Sequence, residues 1–80
     1  MISESVKDVT ATITPPYRFA LKARIIESGF KTLSEFSRDI NYDLGRISRV
    51  VSGWEVPSPA LQKAISRGLN ISVSELRRLL

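Results

Sequence analysis

The stretch from Thr32 to Gly53, TLSEFSRDINYDLGRISRVVSG, decides how this chain folds. Its local signals spell two short helices joined by a tight turn. Thr32-Leu33-Ser34-Glu35 is a capping box: the Thr32 hydroxyl takes the amide of Glu35, and the Glu35 carboxylate reaches back to the amide of Thr32. Asp43 is a good N-cap for a second helix that begins at Leu44. Between the two helices, Asn41 tolerates the left-handed conformation that ends the first. Phe36, Ile40, Tyr42, Ile47 and Val50 then fall on the inside of the angle between them. Ser37 is small where a large side chain would push the helices apart.

Working outward, the bulk numbers bound what this pair of helices can belong to. Eighty residues make one domain, at the small end of what folds alone. An apolar fraction of 42% supplies one core and leaves nothing for a second. With no cysteine, neither a disulfide nor a thiolate metal site supports the fold. With no histidine, the usual metal ligand and the usual general base near neutral pH are both missing. No apolar run approaches the ~20 residues of a membrane span. The start, MISESVKDV, lacks the basic and apolar segments of a signal peptide. The expected setting is therefore cytoplasmic, with no membrane partner.

The net charge of +4 suits a polyanionic partner. Its distribution is uneven. Within residues 31–55, Lys31, Arg38, Arg46 and Arg49 are balanced by Glu35, Asp39, Asp43 and Glu55. The excess lies in residues 15–30 and 57–80. Attraction for phosphate must then come from Arg46, Arg49, Lys31 and the flanking helices.

Residues 1–14 give two conflicting signals. Ile2, Val6, Val9 and Ile13 have helical spacing, while Val9 to Thr14 alternates like a strand and is rich in β-branched residues. The expectation is an extended or poorly ordered N-terminal arm, followed by a domain over residues 15–80. Thr14-Pro15-Pro16 is a helix start signal, predicting a helix from Pro16 to Ser28 that Gly29 stops. Phe19, Leu21, Ala23, Ile25 and Ile26 supply its apolar side. The two central helices should span Leu33 to Ile40 and Leu44 to Ser52, with Gly53 ending the second. The loop Trp54-Glu55-Val56-Pro57 leads to Ser58 as cap and Pro59 as first residue of a fourth helix. Its apolar face is Leu61, Ala64, Ile65 and Leu69. Gly68 lies inside it and weakens it by about 1 kcal/mol relative to Ala, which predicts close packing on a neighbour. Ser72-Val73-Ser74-Glu75 is a second capping box, opening a fifth helix with Leu76, Leu79 and Leu80. The whole is a compact all-α domain of five short helices, none long enough to stand alone.

The central pair has the spacing of a helix-turn-helix, whose second helix is offered to the major groove of DNA. More of the chain carries the same likeness: the SEFSRDINYDLGRISRVVSG core, Gly53 followed four residues later by Pro57-Ser58, then Ala64-Ile65, Leu69-Asn70-Ile71-Ser72 and Ser74-Glu75-Leu76. In order and spacing, residues 17–80 resemble the lambda-repressor-like, Cro-type helix-turn-helix family of phage and bacterial regulators. The resemblance implies a recognition helix at Leu44–Ser52, with Leu44, Gly45, Arg46 and Arg49 facing base edges and Ser48 near them. It implies that amides and hydroxyls at Thr32, Leu33 and Ser52 meet phosphates. The chain departs from the family pattern at four points. Leu44 and Gly45 stand where Gln, Ser or Arg is frequent, Asn41 replaces a turn glycine, and Trp54 replaces a residue that is often basic. Leu44 can touch a thymine methyl but makes no hydrogen bond, and Gly45 offers no side chain.

Arg46 and Arg49 lie three apart on one helix face, and a guanidinium can bind guanine bidentately for about 1–3 kcal/mol of discrimination. The competing reading is a solvated face with Arg46 paired to Asp43. Lys31 and Thr32 sit where the amides of a helix start attract phosphate. Tyr42 packs its ring at the turn and leaves its hydroxyl for a phosphate. The expected function is sequence-specific transcriptional regulation by a DNA-bound homodimer. The alternative is a protein-interaction module, antitoxin-like or anti-repressor, that uses Trp54 or the C-terminal leucines. An enzyme is not expected: no histidine activates the serines, no glycine-rich phosphate loop exists, and the carboxylates sit scattered at cap positions. No cofactor and no metal are expected.

Overall fold

The computed structural model of the chain describes residues 15–80, and the N-terminal arm expected for residues 1–14 lies outside them. Five helices follow in order: α1 Phe19–Glu27, α2 Leu33–Asp39, α3 Leu44–Ser52, α4 Pro59–Leu69 and α5 Val73–Leu79. The described residues contain no strand, which makes the domain all-α as the sequence predicts. No helix among them is long and apolar enough to cross a membrane.

Four of the five helices start where a side-chain cap places them. Thr32 accepts from the amide of Glu35, Asp43 from Arg46, Ser58 from Leu61 and Ser72 from Glu75. Asn41 and Asn70 adopt positive φ angles of 61° and 59°, ending α2 and α4. Gly53, with φ 90°, ends α3. Both capping boxes are only half formed. The Glu35 carboxylate bonds the amide of Lys31, at 2.9 Å, rather than that of Thr32. Glu75 reaches away altogether, to Arg24 at 3.0 Å, and so ties α5 to α1.

The first helix departs most from expectation. It begins at Phe19 rather than Pro16, and Arg18 at its start makes no side-chain cap. Pro16 holds the backbone of Pro15 out of the helical region. The Arg18 amide then bonds the carbonyl of Val51, at 2.8 Å, drawing the segment along the end of α3 instead of into a helical turn. Only Leu21 and Ile25 of its predicted apolar side are buried. Phe19 and Ile26 are exposed at 73% and 50%.

The core is Leu21, Ile25, Phe36, Ile47, Val50, Val51, Leu61, Ile65, Leu69 and Leu76, drawn from all five helices. Phe30, Leu33, Ile40, Tyr42, Ile71 and Leu79 pack against it from the rim. Phe36, Ile47 and Val50 are thus core residues of α2 and α3, with Ile40 and Tyr42 packed against that core. Ser37 is buried there, and its carbonyl accepts the amide of Tyr42 at 2.9 Å, closing the turn.

Gly68 has the close neighbour that the sequence asks for. A β-carbon there would lie 2.5 Å from Ile40 Cγ2 and 3.0 Å from Phe36 Cε1, so α4 meets the end of α2 backbone to side chain. Two residues earlier, the Ser66 hydroxyl is buried with no hydrogen-bond partner among the described residues.

These two sites on one helix predict opposite responses to alanine. Gly68→Ala gains helix propensity but forces the Phe36–Ile40 contact apart, for a net loss of roughly 1–2 kcal/mol. Ser66→Ala removes an unpaired buried hydroxyl and is expected to gain roughly 0.5–1 kcal/mol. Urea unfolding checks both: the midpoint should fall for the first and rise for the second, with the slope unchanged.

Candidate functional site

The outer face of α3 collects most of the residues that the sequence singles out. Ile47, Val50 and Val51 bury one side of the helix, which leaves Leu44, Gly45, Ser48 and Arg49 exposed on the other. Arg46 and Ser52 are half-buried at the edges. Leu44, at 43% exposure, stands at the amino end of this face. Lys31 and Thr32 are exposed at the start of α2, while Leu33 and Tyr42 turn their side chains toward the core.

The two arginines are not free cations. Glu55 sends one carboxylate oxygen to each: Oε2 lies 2.7 Å from Arg46 Nε, and Oε1 lies 3.2 Å from Arg49 Nε. The pairing of Arg46 with Asp43 does not occur, because Asp43 Oδ2 accepts the backbone amide of Arg46 as the α3 cap. Arg46 is flanked on a further side by Tyr42, whose ring centroid lies 6.0 Å from the guanidinium carbon. No acceptor among the described residues takes the Nη groups of Arg46 or Arg49. Both side chains keep solvent access, at 39% and 56%.

The chain delivers Glu55 to this position in two steps. The left-handed turn at Gly53 reverses direction, and the amides of Trp54 and Glu55 both bond the carbonyl of Arg49, at 2.9 and 3.3 Å. The Arg18 guanidinium then donates to the carbonyls of Val50 and Glu55, the latter at 2.9 Å. Gly53 permits this folding-back for two reasons. Its φ is one that glycine adopts readily, and a β-carbon would collide with the Pro16 carbonyl.

Gly45 also has a local reason. A β-carbon there would stand 2.9 Å from Asp43 Oδ2 and 3.6 Å from Arg49 Nη1. Its bare backbone leaves room for the Asp43 cap.

Glu55 and Arg18 are the residues that sequence reasoning misses. Glu55 follows Arg49 by six positions and Arg46 by nine, which is no helical spacing, and only the reversal at Gly53 brings it back. Trp54 and Val56 flank it with exposures of 63% and 77%, which makes Trp54 an exposed side chain rather than a partner of α4. Among the described residues, no three of His, Cys, Asp and Glu lie close enough to hold a metal ion. Neither protein-family models, nor curated proteins, nor solved structures provide a match to the chain.

The hydrogen bond from Arg46 holds the Glu55 carboxyl below the usual glutamate range; desolvation opposes this in part, and Arg49 adds to it. A lowered folded value means that the stabilisation is present above the ordinary glutamate pKa and is lost as pH falls through the folded value. An NMR titration of the side-chain carboxyl should place Glu55 below an unperturbed glutamate. Arg46→Ala should raise it more than Arg49→Ala does.

Proposed function

We propose that the chain is a sequence-specific DNA-binding regulator in which α2 and α3 act as a helix-turn-helix and α3 enters the major groove. The observation that carries this reading is the outer face of α3. It is solvent-facing, small at Gly45 and Ser48 where a backbone must come close, and edged by two guanidinium groups whose Nη atoms have no acceptor among the described residues. Arg46 and Arg49 are the base readers, Leu44 is a thymine-methyl contact, and Ser48 is a hydrogen-bonding neighbour. Lys31, Thr32, Leu33, Tyr42 and Ser52 position the domain on phosphates. At the start of α2 the Glu35 carboxylate already occupies the Lys31 amide, so phosphate there is met by the Lys31 ammonium and by the amides of Thr32 and Leu33.

The pairing with Glu55 weakens this reading less than a buried lock would. It engages the Nε edge alone, and surface ion pairs contribute little to folding, so DNA does not have to break a strong bond. It does lower the positive field of α3. Indiscriminate attraction to nucleic acid is correspondingly small, and binding depends on the match of bases and DNA shape. Two copies on a pseudo-palindromic site are the arrangement that this class of recognition favours.

A second reading, a protein-interaction module, draws on the exposed Trp54 and Val56 beside an α3 whose two arginines are balanced by Asp43 and Glu55. Aromatic side chains of this kind anchor protein partners.

Selection of bound duplexes from random DNA separates the two. The DNA reading predicts a recovered consensus, with symmetry if two copies bind. Arg49→Ala should then weaken binding to that site more than to random duplex. Equal losses on both would count against base reading. Lys31→Ala should weaken both alike and reduce the salt slope by about one. Recovery of no consensus, with a salt-insensitive protein complex in its place, would favour the second reading.

A further inference from the structure

The Glu55 carboxylate does something that a simple loop tether would not require: it divides its two oxygens between two arginines. Its own backbone is fixed on both sides, its amide to the Arg49 carbonyl and its carbonyl to the Arg18 guanidinium. The backbone beneath the carboxylate is thus held at both its amide and its carbonyl, and the carboxylate itself is placed by its two arginine partners. Each guanidinium is held by Nε, the donor nearest the aliphatic stem. That leaves the terminal Nη pair, which is the fork that matches O6 and N7 of guanine. Arg46 is further confined by the Tyr42 ring, 6.0 Å from its guanidinium carbon. Along α3 the two residues are about 4.5 Å apart, comparable with the ~3.4 Å rise between neighbouring base pairs.

We propose that Glu55 is a specificity-determining positioning residue, which aligns Arg46 and Arg49 as a paired reader of guanines on neighbouring base pairs and, by its charge, withholds both arginines from backbone phosphate. The inference rests on the DNA-binding reading above and adds to it the base and the spacing that are read. Glu55 itself touches no DNA in this scheme. It acts through the two arginines, so its loss changes which DNA is bound rather than whether DNA is bound.

Two variants separate the parts of this role. Glu55→Gln removes the charge and one acceptor oxygen while keeping the length. Glu55→Asp keeps the charge but draws the carboxylate back from at least one Nε. Each is made in the full chain and compared with the wild type by thermal melting, by the NMR signals of the arginine Nε–H groups, and by affinity across a salt series. The two DNAs are a duplex chosen by the wild type from random sequence and an unselected duplex. The wild-type consensus should contain guanines on neighbouring base pairs. Glu55→Gln should bind unselected duplex more tightly, with a steeper salt slope, and lose roughly tenfold in the ratio of selected to unselected affinity. Glu55→Asp should leave unselected binding unchanged and lose a similar ratio. In both, protection of at least one Nε–H should disappear while the melting temperature stays close to that of the wild type.

The proposal is overturned if either variant keeps the wild-type ratio within about twofold, well inside the roughly fivefold that the low end of one misplaced bidentate contact costs. It is also overturned if both DNAs weaken equally alongside a lowered melting temperature, which would mark a purely structural role. If the wild type selects no sequence at all, the DNA-binding reading fails first and takes this inference with it. Selection by the wild type with unchanged variants sinks the inference alone.

Discussion

The carboxyl end of α3 is where the separate parts of the domain are joined. A helix leaves its last carbonyls without partners, and together they carry a partial negative charge. Here the carbonyls of Arg49, Val50 and Val51 are all taken. Gly53, Trp54 and Glu55 supply amides from the chain that follows, while Arg18 supplies its amide and its guanidinium from the chain that precedes α1. A cation placed against the negative end of a helix is favoured electrostatically. The same bonds fix the loop that enters α4. One constraint therefore sets the direction of α1, the course of residues 53–58 and the location of Glu55, and the outer face of α3 takes its shape from all three.

That face is unusual in how little net charge it shows. Arg46 and Arg49 stand over Glu55, and Asp43 closes the amino end of the helix. Beside them lie Trp54 and Val56, the most exposed apolar side chains of the loop. The surface thus combines directional donors with apolar area and has no strong field. Such a surface discriminates by fit more than by attraction, whether the partner is a groove or another protein.

Much of the helical framework was legible because caps are local. Thr32, Asp43, Ser58 and Ser72 each act within three residues, so their chemistry can be read without knowing the fold, and α3 begins and ends where those signals put it. Gly68 was legible in kind, since an interior helical glycine asks for a close neighbour, but Phe36 and Ile40 had to be supplied by the tertiary structure. The start of α1 was misjudged because a proline signal permits a helix without compelling one, and the bond from the Arg18 amide to Val51 spans more than thirty residues. The exposed face of α3 follows from its periodicity. The link from Glu55 to the arginines does not, because it depends on a reversal at Gly53 that brings back a residue from beyond the helix.

Long cationic side chains are normally disordered on a surface, and immobilising one at an interface costs about 0.5–1.5 kcal/mol. In this domain the stems of Arg46 and Arg49 are already held at Nε before anything approaches. Part of their rotational freedom is given up when the chain folds, so a partner that meets their outer ends has less entropy to overcome. About a quarter of a turn round the helix from Arg49, Ser48 has no side-chain hydrogen bond among the described residues, which leaves the face with two anchored prongs and one unanchored hydroxyl to the side of them.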